Sequence, residues 1–220
     1  MLLSDYIYLT RNLLRDANKR FWKLDSDITK YVNLARDRVA IDTNATRVNA
    51  TIALTQGQEA YRFGLVLAAV QSLPGSPPAR NIQAILNINF IQTTTFYMPL
   101  RRLAWSDFNR VFRSNPFQSM CQAWSMQGYG VFFLGPTPPG PDYTAEIDCL
   151  YLPNNLTDPA NVETAIPDPL SELVPLMAAR WATYYEQDKS RLDEFIIHYE
   201  MEKNMMLSQM PPFSALNRNI

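Results

Sequence analysis

Proline and glycine are spread so unevenly along this chain that they divide it into three parts. No proline precedes Pro74, thirteen of the sixteen lie between 74 and 169, and all seven glycines fall between Gly57 and Gly140. Both residues punctuate turns and disfavour helix interiors, so the ends are free to be helical and the middle is expected to be strand and loop. Charge follows the same division. Basic and acidic residues number nine and six in 1–47, six and seven in 48–167, and five and eight in 168–220.

At the N-terminus, Tyr6, Ile7, Leu9, Leu13, Leu14 and Ala17 keep a helical stripe and predict a helix over Asp5–Phe21. Asp25-Ser26-Asp27 supplies cap residues and first-turn charge for a second helix with Ile28, Tyr31, Ala35 and Val39 on one face. At the other end, Asp168-Pro169 predicts a helix start, with Leu170, Leu173, Met177, Ala178 and Trp181 as its stripe and Pro175 shifting or kinking that start. Ser190 to Asp193 resembles a capping box ahead of Leu192, Phe195, Ile196 and Tyr199.

Between these ends, Ala50, Ile52 and Leu54 alternate with Thr51, Ala53 and Thr55, as in a strand with one buried face. The stretches 82–91, 131–134 and 143–151 also read as strands. The expected fold class is α+β: an antiparallel helical bundle from N- and C-terminal helix pairs, with a β-rich insert and an extended C-terminal arm. The expected division is 1–47 and 168–208 as the bundle, 48–167 as the insert and 209–220 as the arm, all one discontinuous domain.

Composition narrows the function. A net charge of -1 lacks the broad basic footprint of a non-specific nucleic-acid binder. Asp5 interrupts the apolar start before a signal-peptide core could form, and no run is long enough to span a membrane. An intracellular-type protein is expected, with the Asn44, Asn49 and Asn155 glycosylation signals idle. Cys121 and Cys149 are too few and too far apart for a disulfide framework or a metal site, and no cofactor motif is present. No catalytic, metal or cofactor residue is therefore expected. His198, the one histidine, reads as a helix-surface residue. Glu186, Asp188, Asp193, Glu194, Glu200 and Glu202 could in principle include the two carboxylates of a peptidoglycan hydrolase, but a solvated helix face is the preferred reading.

Two segments point to interfaces instead. Arg101, Arg102, Arg110 and Arg113 are interleaved with Trp105, Phe108, Phe112 and Phe117. That mixture could serve a single-strand nucleic-acid groove. The preferred reading is a short amphipathic helix starting at Ser106-Asp107, with Phe108, Val111 and Phe112 on one face. Its arginines, with Trp105, would then serve solubility or contacts with another subunit. Arginine outnumbers lysine fifteen to five, the bias of protein interfaces. After the last helix, Met210, Pro211, Pro212, Phe213, Leu216 and Ile220 form an apolar segment that reads equally as a frayed terminus or as an extended arm docking on a partner.

The order of these features resembles the head-to-tail adaptor (connector, or tail tubular) proteins of tailed bacteriophages. Four stretches carry the resemblance: Ile28-Thr29-Lys30-Tyr31-Val32-Asn33-Leu34-Ala35; Thr55-Gln56-Gly57-Gln58-Glu59-Ala60-Tyr61; Leu134-Gly135-Pro136-Thr137-Pro138-Pro139 with the strand to Pro153; and Ala165-Ile166-Pro167 leading into the helix with Trp181 and Tyr184. The resemblance implies a structural, non-enzymatic virion protein of the neck, assembled in the host cytoplasm. It implies a homo-dodecameric ring bound to the portal protein above and a tail or nozzle protein below. DNA would pass through the lumen without sequence-specific binding, and no membrane would be involved. Met210, Pro211, Pro212, Phe213, Leu216 and Ile220 would be the portal-binding residues on this reading.

Overall fold

The computed structural model describes residues 1–75, 79–93, 96–114, 119–186 and 189–209. The chain separates into two compact units, Met1–Thr46 with Asn155–Ile220, and Arg47–Asn154.

The first unit is helical. Helix α1 (Leu3–Leu14) buries Leu3, Tyr6, Ile7 and Leu14, and α2 (Asp25–Thr43) buries Ile28, Val32, Ala35 and Val39 at helical spacing. After a 3₁₀ turn at Leu170–Glu172, α5 (Leu173–Glu186) contributes Leu173, Val174, Met177, Ala178 and Ala182, and α6 (Lys189–Gln209) contributes Phe195, Tyr199 and Met206 to the same core. Pro175 lies in the first turn of α5, where its missing N–H has no intrahelical partner to lose. Helix α1 is shorter than its stripe predicts: it ends where Arg15 turns left-handed, so Ala17 and Phe21 are outside it.

The second unit holds two four-stranded sheets. In the first, β1 (Arg47–Ala53), β8 (Thr144–Pro153), β3 (Ala79–Thr93) and β4 (Phe96–Pro99) lie side by side in that order, all antiparallel. In the second the order is β2 (Ala60–Arg62), β7 (Val131–Gly135), β6 (Ala123–Met126) and β5 (Arg101–Arg102), with β5 parallel to β6. Ile82, Ile85 and Ile88 are all buried although three residues apart, a spacing that a regular strand would place on alternating faces. Register shifts between Ile82 and Ala84 and between Ile85 and Asn87 each insert an extra residue against β8 and return the next isoleucine to the core.

A helical bundle carrying a β-rich insert is therefore not the architecture. Two sheets, with cores built on Ile85, Ile88 and Phe90 and on Trp124, Phe132 and Leu134, form a compact unit in their own right. That unit also contains a helix, α3 (Phe63–Gln71), where the sequence reading placed only strand and loop. Gly64 obscures it, but Phe63, Val66 and Val70 are buried at spacings of three and four. Proline density marks how often the chain turns and says little about how much of it is sheet.

Candidate functional site

Among the interface residues expected from sequence, Arg101, Arg102, Trp105, Arg110 and Arg113 lie in the β unit, on and just after β5. Pairing of Arg101 with Ala123 and of Arg102 with Trp124 leaves both arginines exposed. The chain then enters α4 (Trp105–Phe108), which widens into a π-helical turn over Asn109–Arg113, closed by the Ser114 N–H donating to the Asn109 carbonyl at 3.1 Å. The wider turn changes the expected face. Phe108 is fully buried, whereas Val111 is half exposed.

Gly135 on β7 allows the helix this close. A Cβ there would sit 2.7 Å from the Phe112 ring and 2.9 Å from the Phe108 ring. Trp105 packs on Phe133 with ring centres 4.6 Å apart and stacks on Phe108 at 5.9 Å. Arg113 lies over both Trp105 (5.4 Å) and Phe133 (5.7 Å) while its Nε pairs with Glu59 at 3.1 Å. Arg102 covers Trp124 at 5.2 Å, and Arg110 pairs with Asp107 at 3.3 Å. Open hollows border the cluster, one of ≈ 430 Å³ lined by Arg101, Asp107, Arg110 and Phe112 among others.

This arrangement suits a protein contact better than a strand of nucleic acid. Bases need free aromatic faces, and Trp105 already engages Phe108, Phe133 and Arg113. Carboxylates beside Arg110 and Arg113 also oppose a phosphate.

In the helical unit the structure gathers charges that no spacing in the sequence announces. Arg36 and Glu163 form a buried ion pair, Nε to Oε2 at 2.5 Å and Nη2 to Oε1 at 3.0 Å. Burial alone would raise the Glu163 carboxyl. The Arg36 guanidinium and the N–H groups of Ala165 and Ile166 outweigh it and hold the group below the usual carboxylate range. Arg11 bridges buried Asp16 and exposed Asp25, and Lys19 joins Asp25 at 2.9 Å.

Among the described residues, the carboxylates considered for hydrolase chemistry do not converge. Asp193 and Glu194 are exposed on α6, Glu200 pairs with Lys203, and Glu202 is 3.7 Å from His198. The Glu186 side chain, Asp188 and the segment Met210, Pro211, Pro212, Phe213, Leu216 and Ile220 lie outside the described residues. Among the described residues no group of ligand side chains could hold a metal ion, and no helix is long and apolar enough to cross a membrane.

Against this geometry, the family model described as SU10 adaptor protein matches residues 1–210. The chain belongs to that family. The adaptor is accordingly a structural protein of a bacteriophage that works with other virion components. No curated protein matches it significantly. The match runs through both of the adaptor's compact units.

Proposed function

We propose that this adaptor forms a homo-dodecameric ring beneath the portal protein of its phage. The ring would join the capsid to the tail or nozzle protein below and let DNA pass through its lumen without reading sequence. Membership of the adaptor family over residues 1–210 carries this reading. The mechanism is interfacial: apolar and charged surfaces are buried between subunits and against neighbours, and no bond is made or broken. On this reading Met210, Pro211, Pro212, Phe213, Leu216 and Ile220 anchor the portal. Arg101, Arg102, Trp105, Arg110 and Arg113 meet a neighbouring subunit or the tail.

Electron microscopy of the purified protein mixed with the portal of the same phage tests this reading. Twelve adaptor copies should decorate each portal ring, while the protein alone should scatter light near its chain mass of 25.2 kDa. Portal rings left bare at saturating protein would overturn it.

A further inference from the structure

Two exposed surfaces of the helical unit have no role so far, and each supplies what the other lacks. The first is the connection between α1 and α2. It passes through Arg15 at φ 55° and Lys19 at φ 53°, left-handed backbone that bulky side chains seldom adopt. Asp16 fixes the turn from inside, accepting the N–H of Phe21 at 3.0 Å and of Trp22 at 3.1 Å while Arg11 Nη1 donates to it at 2.9 Å. Trp22 anchors it further, edge-on to Tyr31 with ring centres 5.2 Å apart. Arg15 is the left-handed C-cap of α1, and these contacts hold the turn that follows it in one conformation.

That rigid turn presents Phe21, 70% exposed, and Leu24, 63% exposed. The same turn carries Arg15, Arg20 and Lys23, all exposed and without an ion pair among the described residues, with Arg20 lying over the Phe21 ring at 5.8 Å. A phosphate backbone would satisfy the cations and leave Phe21 and Leu24 in water. The matching partner offers apolar surface and carboxylates together.

The second surface has that composition. Ile197, Met201 and Met205 recur every four residues on α6, so they form one stripe, and they are 60%, 65% and 48% exposed. Exposed Asp193 and Glu194 lie one turn before Ile197, with Glu200 and Glu202 alongside. From Leu192 to Gln209 the helix carries four acidic residues against one lysine.

We propose that the Arg15–Leu24 turn of one copy docks on the Ile197–Met205 stripe of α6 in the next copy. The occupant is a second copy of this chain because the complementary face is on the chain itself, in the one-to-one ratio that a ring requires. The two patches differ, so the contact is head-to-tail and propagates to closure instead of stopping at a dimer. The proposal rests on the ring reading above and adds the surfaces that build the ring.

Cysteine cross-linking on assembled particles tests it. Phe21→Cys and Met201→Cys are made singly and together, mixed with portal, imaged for rings and then oxidised. Native Cys121 and Cys149 are buried and should not take part. The double variant should give a disulfide ladder on a non-reducing gel. Particles assembled from the two single variants mixed should give dimers only, and either single variant alone should give none. Rings that form without a disulfide between positions 21 and 201 overturn the docking proposal and leave the ring reading standing, as does a dimer from either single variant alone. Bare portals with every form of the protein overturn the ring reading and the proposal with it.

Discussion

Arg36 on α2 and Glu163 in the segment before α5 meet across 127 residues of sequence, with side chains 3% and 1% exposed. Such a pair adds little net stability over an apolar one, because both charges lose their water. Removing one partner is costly, since it strands the other. Glu163→Gln should destabilise the helical unit by about 3–5 kcal/mol, read as a lower urea midpoint by circular dichroism. Replacing both residues with apolar ones of similar size should recover much of the loss.

The same pair sets an acid limit. Glu163 in the fold titrates below the usual carboxylate range, so the folded state resists protonation there and the unfolded chain does not. Its contribution is fully present above the unfolded value of about 4.3 and is lost as pH falls through the lower folded value. Melting temperature against pH should drop in that acidic window. The drop should be smaller in Glu163→Gln.

Burial pushes both cysteine thiols up to about 12. They are protonated at neutral pH, and the thiolate is the reactive form. A thiol reagent at pH 8 should modify neither Cys121 nor Cys149 until the protein unfolds. A raised folded value also means that their share of stability is present below the unfolded value of about 8.5 and fades as pH rises through about 12. Rapid labelling of the native protein would show that one of them reaches solvent.

Gly135 and Arg113 make a contrasting pair of substitutions. Gly135→Ala drives a methyl into the Phe112 and Phe108 rings and should cost about 1–3 kcal/mol. Arg113→Ala removes a partly exposed ion pair with Glu59 and should cost about 1 kcal/mol or less. If Arg113 is an interface residue, its loss should weaken assembly on portal far more than it lowers the melting temperature.

Deleting residues 210–220 separates attachment from folding. Helix α6 runs through Gln209, so the deletion begins just beyond it. Melting temperature should be almost unchanged while decoration of portal rings is lost. Normal decoration by the truncated protein would move the portal contact to another surface.

Much of the helical pattern was legible because apolar residues recur at three and four. Ile28, Ala35 and Val39, and Leu173, Met177 and Ala178, are buried as that spacing predicts. What escaped depends on contacts distant in sequence or on backbone detail. Nothing near Arg36 announces Glu163, and no glycine or proline marks the turn at Arg15 that ends α1. Bulges in β3 turn a period of two into a period of three at Ile82, Ile85 and Ile88, so the strand read over 82–91 did not reveal its register against β8. In the arginine-rich segment, composition located the cluster. The π-helical turn, which no composition reveals, decided that Val111 faces outward.

The interrupted path of the helical unit also has a consequence on the ribosome. Its core joins residues from Leu3 to Val39 with others from Leu156 to Met206, and the whole of Arg47–Asn154 is synthesised between them. At roughly 5–20 residues per second, α1 and α2 wait about 5–20 s with Ile28, Val32 and Val39 uncovered. The β unit, contiguous in the chain, can complete its sheets during that wait. Nascent chains arrested once Asn154 has left the ribosome, but before Leu173 has, should therefore hold a protease-resistant Arg47–Asn154 core behind an N-terminal segment that chaperones still bind.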